Sequence, residues 1–482
     1  MDGIEITNDV GHSDKYATKL MITMVAVALL VNYVETMVIP GIPTIQKEYG
    51  ITSSLASWIT SIFLIAGAAT TPLFGKFGDI YGKRKMFILV LTLYIIGLVI
   101  AAFSSTIYDL LAARAIQGMG FAIVPLALAL LADKLPPEKL GIAQGAISST
   151  FAIGAAFGLI VGAYIEEYYG WRDAFMIALV LSLLLLILSL KIIEKDTTKQ
   201  HVKVDYGGIA FLIAGITLCM IYITEGPTRG WDSMDNLALL IPGLISLLLF
   251  FVYEARQDNP LIPMRILKIK NIFLSNIIGL LSSMAMFIVF FALTYYTQLP
   301  KPYGLGMTTI ESGLVMAPAA ITMLFIGPIA GRALSRLGPK PILISGSLIG
   351  IMGMGMFVMF RGDSFAVMID EIFTLTGLIL TMIPIINIIT LSSPKENTAV
   401  SLGFNTSIRD IGGAIGPVIA TTVMTSFVVS IVAIVGGSSM VVGTVPSSMA
   451  FDIIFIIGIV IMVTALILGL FIKNYSFKKN KV

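Results

Sequence analysis

The feature that most limits how this chain can fold is a series of long apolar runs nearly free of charge. Leu179 to Leu190 carries none, and Phe451 to Phe471 carries only Asp452. Such runs cannot face water. A helix needs about 20 apolar residues to cross hydrocarbon, whereas a barrel strand shows short alternating segments. The runs here persist over helical length, so the spans are helices. Mean hydropathy is +0.95, and charged residues make up 12% of the 482, against about 25% in a soluble domain. Fourteen crossings would take up roughly 280 residues.

The apolar windows predict spans at 20–41, 52–74, 86–105, 108–132, 138–163 and 173–193, a pair at 206–224 and 236–253, and six more at 271–297, 309–332, 341–360, 366–390, 398–425 and 450–472. The expectation is an all-α membrane protein. It has a tail at 1–19, a six-helix bundle at 20–193, an inserted pair with its linkers at 194–270, a second six-helix bundle at 271–472 and a tail at 473–482. Basic loops stay cytoplasmic, which tests the count. With the N-terminus inside, 24 of the 31 Lys and Arg fall in inside segments, and outside loops hold only Lys47, Arg172, Arg229, Lys301 and Arg361. Arg114 and Arg409 lie within spans. An odd number of spans would scramble this bias, so both termini are expected in the cytoplasm. The stretch 426–450 is apolar but broken by Gly436, Gly437, Gly443 and Pro446, and reads as a re-entrant or external hairpin.

Several function classes are excluded. The single Cys219 forms no intrachain disulfide, and His12 and His201 are far apart, against a His-ligated metal or a His-based triad. No phosphate-cradling GxxxxGK[ST] occurs. The chain is expected to be no enzyme, to use no cofactor or metal and to bind no nucleic acid. The acidic residues Asp2, Glu5, Asp9 and Asp14 before the first span lack the character of a signal peptide.

Between spans two and three stands Gly75-Lys-Phe-Gly78-Asp79-Ile-Tyr-Gly82-Lys83-Arg84-Lys85. Glycines permit a tight turn, and a carboxylate among cations can bind them or a helix N-terminus, so Gly75, Gly78, Asp79, Gly82, Lys83 and Arg84 read as a conformational latch. The segment resembles the signature loop of the major facilitator superfamily. A weaker copy, Gly331 to Lys340, has Ser335 where the first has Asp79, which suggests two related halves.

Span four places Arg114, Gln117 and Gly118 on one helical face. An Arg inside a membrane is expensive and marks a functional cavity by default. This run is similar to the superfamily's span-four motif, whose Arg is linked there to proton coupling. Span one carries Glu35 in Asn32-Tyr33-Val34-Glu35-Thr36 at a depth similar to Arg114, so the two could meet. The fourteen-span drug:proton antiporter family has D-x-T-[IV]-V at this place. Span five has Gly154, Gly158 and Gly162 at spacing four, a smooth packing stripe that resembles an exporter motif but lacks its proline. Span thirteen holds Gly412, Gly416 and Pro417 instead.

Asn405 and Arg409 belong to a polar cluster in span thirteen with Asp410, and Glu371 lies deep enough in span twelve to face a cavity. Met284, Met286 and Phe287 would suit an adaptable pocket, though lipid-facing filler is the favoured reading for most such residues. Asn32, Tyr33, Glu35, Gln117, Tyr295, Gln298, Glu371, Asn387, Asn405 and Arg409 are the candidate substrate contacts, with Glu35 and Arg114 for proton coupling. Asp205-Tyr-Gly-Gly, Gly230-Trp231 and Asn259-Pro260 are similar to landmarks of the fourteen-span exporters. The resemblance runs from about residue 20 to 472 and implies a monomeric plasma-membrane antiporter that expels hydrophobic or cationic compounds. A facilitator or proton symporter for an anionic metabolite held by Arg114 and Arg409 is the alternative. A membrane sensor ranks last, because the tails are short.

Overall fold

The computed structural model describes residues 7–135, 143, 146–147, 150–151, 153–194, 206–257, 260, 264–394, 398–435 and 438–475. Much of 136–152, including Gly145, lies outside them, as do the linkers 195–205, 258–259 and 261–263.

The first group of helices is α1 (Thr7–Met37), the short α2 (Ile42–Tyr49), α3 (Ser53–Tyr81), α4 (Lys83–Ala102), α5 (Ile107–Gly118), α6 (Ile123–Lys134), α7 (Ala163–Tyr168) and α8 (Trp171–Ile192). A pair follows, α9 (Tyr206–Arg229) and α10 (Met234–Glu254), then the single turn α11 (Met264–Leu267). The second group is α12 (Lys270–Gln298), α13 (Thr309–Leu337), α14 (Pro339–Phe360), α15 (Ser364–Ser392), α16 (Thr398–Ser426) and α17 (Ser448–Leu470). Among the described residues, 12 helices are long and apolar enough to cross a membrane. Two of the fourteen expected spans are not counted with them. Span five falls partly outside the described residues, and α16 carries Asn405, Thr406, Ser407, Arg409 and Asp410, which dilute its apolar character.

Span four, expected as one helix, is divided by a 3₁₀ turn at Met119–Ala122. Close packing explains the glycines there. A methyl group on Gly118 would meet the Phe63 carbonyl, and one on Gly120 the Tyr94 ring. Residues 426–450 depart from an all-helical fold. They form an antiparallel hairpin, β1 (Val428–Val435) and β2 (Ser438–Pro446), with Val428 opposite Pro446 and an irregularity at Ile431/Val432. Its β-branched residues favour extended backbone, which gives the expected hairpin its physical form.

The two groups meet along two seams: α3 packs on α16, and the chain around α7 packs on α13. The α9–α10 pair rests through α9 on α3 and α16, with the Trp58 indole donating to Glu225 at 3.1 Å. One end of the molecule, here the tail end, holds Tyr16 beside Lys134 and Glu194, and Asn271 exchanging two hydrogen bonds with Lys473. The opposite, loop end carries α2 and the hairpin.

At the tail end the two halves repeat one device. Gly82 (φ 105°) and Gly338 (φ 81°) sit at the left-handed turns that start α4 and α14. Two residues beyond each, a cation reaches the carboxyl end of its half's last helix: Arg84 Nε to Ile193 O at 2.7 Å and Arg84 Nη2 to Leu190 O at 3.2 Å, and Lys340 Nζ to Leu470 O at 2.6 Å. Cations are favoured where helix carbonyls lack partners. Lys83 adds an ion pair to Asp133 at 2.6 Å. A methyl on Gly78 would stand 2.6 Å from Leu126, whereas Gly75 faces open space. The side chains of Asp79 and Ser335 lie outside the described residues.

Candidate functional site: a buried charge cluster between the halves

Small residues let the backbones approach closely enough to hold the site. In the first half, a methyl on Gly154 would stand 2.5 Å from Asn32 Cβ, one on Gly158 2.7 Å from the Tyr33 carbonyl, and one on Gly162 2.5 Å from the Met37 carbonyl. The stripe therefore clamps span five onto α1 on either side of Glu35. Gly158–Gly162 form a π-helical turn, a local widening where the resembling motif has its proline. The second half is built alike: Gly412 abuts the Leu280 carbonyl, and Gly416 would meet Met284 O at 2.8 Å and Ile288 N at 2.9 Å. Pro417 lies inside α16. Matching Gly158 to Gly416 sets Tyr33 beside Met284, so Glu35 corresponds to Met286. The packing is repeated, and the carboxylate is not.

Glu35 is buried in the last turn of α1, with no partner for Oε2 among the described residues. Arg114 lies roughly 10 Å below the start of α5 and is fully buried. Its Nε donates to Ile59 O at 3.0 Å, and its Nη1 donates to Val34 O at 3.3 Å and Gln117 Oε1 at 2.9 Å. The guanidinium stacks over Phe63, 4.0 Å from the ring centroid. Gln117 then donates to Gly97 O at 3.0 Å, so both ends of its amide are engaged within the protein. Glu35 and Arg114 make no direct ion pair. The Glu35 carboxyl instead interacts electrostatically with Asp410, Arg409 and Arg114 together, a cluster drawn from α1, α5 and α16 across the seam between halves.

Arg409 is oriented by its neighbours. Its guanidinium lies 5.4 Å from the centroid of Phe151 in the first half, and its stem packs on Gly279 beside the Asn405 amide. Asn405 donates to Asn276 at 3.0 Å. Among the described residues, Nε of Arg409, Oδ2 of Asp410, both carboxylate oxygens of Glu371 and the Tyr33 hydroxyl have no hydrogen-bond partner. Buried polar atoms are normally paired, so these groups, with Glu35 Oε2 and Arg114 Nη2, are among the open valences of the interior. The remaining candidates are placed elsewhere. Asn32 bonds Ala28 O at 2.8 Å and Thr150 at 3.1 Å, and Asn387 bonds its own helix at Ile383 O, 3.4 Å.

Tyr295 and Gln298 belong to the loop-end closure. Gln298 Nε2 donates to Pro40 O at 2.7 Å, and the Tyr295 hydroxyl donates to Gln46. A cavity of about 340 Å³ beside them is lined by Pro43, Gln46, Tyr295 and Gln298. Another, of about 810 Å³, opens near Lys301 and Glu311. Both lie at the loop end and apart from Glu35. Sequence reasoning missed Phe63 and Asn276. Asn276 had a signal, an amide inside an apolar span, whereas nothing marked Phe63 among many similar rings.

A family model described as Major Facilitator Superfamily matches residues 24–417. Among curated relatives, the tetracenomycin C resistance and export protein of Streptomyces glaucescens is 27% identical over 412 residues, 84% of this chain and 76% of that one. The multidrug transporter protein MdtP of Bacillus subtilis (strain 168) is 24% identical over 413 residues, 84% of this chain and 75% of that one. The crystal structure of the human organic anion transporter MFSD10 superposes with a TM-score of 0.65 at 15% identity, covering 94% of this chain and 99% of that one. This last likeness is one of fold.

Proposed function

The chain belongs to the major facilitator superfamily, a family of multi-pass membrane transporters that are generally not enzymes, and from that premise we propose that it is a proton-coupled exporter of small hydrophobic or cationic compounds. In this reading fourteen helices sit in the plasma membrane, α9 and α10 are the inserted pair, and the basic tail end faces the cytoplasm. The two halves rock about the α3–α16 and α7–α13 seams to give alternating access, with a monomer as the working unit.

The observation that carries the reading is the cluster of two buried carboxylates, Glu35 and Asp410, with two guanidiniums, buried Arg114 and half-buried Arg409. Arginines stay charged, so the fully ionised cluster is neutral. Adding a proton to Glu35 makes it net positive, and a cation in the same space is then repelled through a poorly screened interior. Proton and cationic substrate compete for one site, which is the requirement for exchange. Glu35, Tyr33, Arg409 and Glu371 supply the unpartnered polar atoms that would meet substrate. Relatives named for tetracenomycin C resistance and export and for multidrug transport support the substrate class.

Competition is tested by proton counting. Adding a lipophilic cation to purified protein in weak buffer should release protons, and Glu35→Gln should bind without release. Equal release by both proteins would refute the assignment of Glu35. The unpartnered Nε of Arg409 favours one other reading, an anionic substrate held by the arginines. That reading predicts binding that consumes no Glu35 proton and is lost in Arg409→Gln.

A further inference from the structure

Besides Glu371, another buried carboxylate with both oxygens unpartnered lies outside the cluster. Glu166, in α7 at the loop end, is 8% exposed, and neither oxygen has a hydrogen-bond partner among the described residues. Its carboxyl occupies the space left by Gly41, where a methyl group would stand 2.5 Å from Cδ and Oε2. The charged groups around it are engaged elsewhere or exposed. From α1, the Tyr33 phenol is the titratable group that senses its charge. From α8, Arg172 is held by Glu48 at 2.6 Å, by Tyr49 at 3.1 Å and by Ser104 O at 3.0 Å, and Asp173 is exposed. From α13, Glu311 closes its own capping box with Thr308. Among the described residues, no cation pairs with Glu166.

The next residue links this position to the closure of the halves. Glu167 accepts from Thr309 N at 2.9 Å and Ile310 N at 3.4 Å, capping the start of α13 from across the seam, and Gly313 packs against Leu159 and Ala163. Separating α7 from α13 would break these contacts and open the surroundings of Glu166 to water. Burial with no donor and no cation disfavours an ionised carboxylate, so the closed loop end accepts Glu166 only in its neutral form.

We propose that Glu166 is a second proton-binding site, loaded from the loop-end face, whose occupancy permits the two halves to close there. Its proton returns to the same face on reopening and is not counted among those that drive transport. The inference rests on the proton-coupled reading for its place in a transport cycle, but its test does not use transport.

Spin labels on Tyr108→Cys and Phe365→Cys, exposed loop-end positions in opposite halves, in a Cys219→Ser background, report closure as a distance. The parent should shift from short to long distances as pH rises. Glu166→Gln should stay short at every pH. Glu166→Asp, which keeps the acid, and Glu167→Gln, which keeps an acceptor for α13, should both still respond. A parent that ignores pH would overturn the proposal. So would a Glu166→Gln that responds like the parent, a Glu166→Asp as unresponsive as Gln, or a loss of response on Glu167→Gln instead. Failure of the export reading would show separately, as cation-linked proton release that survives Glu35→Gln.

Discussion

At the scale of single residues, buried charge in the interior is shared among several partners rather than matched in one ion pair. Arg114 and Glu35 stand out because charges inside apolar spans are expensive. Similar depth in the membrane implied that they could meet, yet Arg114 donates from Nε and Nη1 to two carbonyls and Gln117, stacks on a ring and leaves Nη2 without a partner among the described residues. Backbone carbonyls and rings occur everywhere in such a chain, so no pattern in the letters could select them. Glu166 was overlooked because it follows the span as written and reads as a solvated end. Glu48 is a residue-scale case with a pH signature. Partial burial raises its carboxyl, but hydrogen bonds from Trp171 at 2.6 Å and Arg172 at 2.6 Å, with the Arg172 charge, outweigh this and hold it below the usual range. A depressed carboxylate stabilises the fold above its unfolded pKa, about 4.3, and the contribution is lost as pH falls through the lower folded value. With Trp58 and Trp231 replaced by Phe, Trp171 emission should hold steady from pH 7 to about 5 and change only below about 4.3. Glu48→Gln should remove that transition.

At the scale of elements, twelve of the fourteen expected span positions coincide with helices long and apolar enough to cross a membrane, because membrane thickness sets their length, and a repeated device was legible in the two glycine-rich turns. The short helix α2 was not, since eight residues with three charged or amide groups resemble any polar loop. Nor was the π-helical turn, because Gly158 to Gly162 is compatible with an ordinary helix until its packing on α1 is seen. That packing separates glycines that look alike in sequence. Gly158→Ala forces a methyl into Thr36 and the Tyr33 carbonyl, whereas Gly75→Ala enters open space. Overpacking of this kind costs roughly 1–3 kcal/mol. Thermal unfolding in detergent should therefore drop for Gly158→Ala and stay unchanged or rise for Gly75→Ala.

At the scale of the whole molecule, the arrangement is two similarly packed groups whose contacts repeat while their charges do not. The last-helix tethers of Arg84 and Lys340 and the two glycine stripes are common to both. Glu35 has only Met286 opposite it. Under the proposed function, an asymmetric charge set within a repeated scaffold would let one half carry the proton site while the other supplies Arg409 and Asp410. Rocking the halves then changes the distances within the cluster. The alternating-access cycle and its proton coupling were inferred from family resemblance, because rigid-body motion leaves no trace in a residue pattern. The most direct measurement is gradient-driven accumulation of a fluorescent lipophilic cation in proteoliposomes of controlled orientation, comparing the parent with Glu35→Gln. The account predicts uphill accumulation under an imposed pH gradient by the parent, reduced at least about tenfold, or roughly 1.4 kcal/mol of driving interaction, in the variant. Equal accumulation by both proteins, or movement of no cation under any gradient alongside uptake of an anion lost in Arg114 and Arg409 variants, would contradict it.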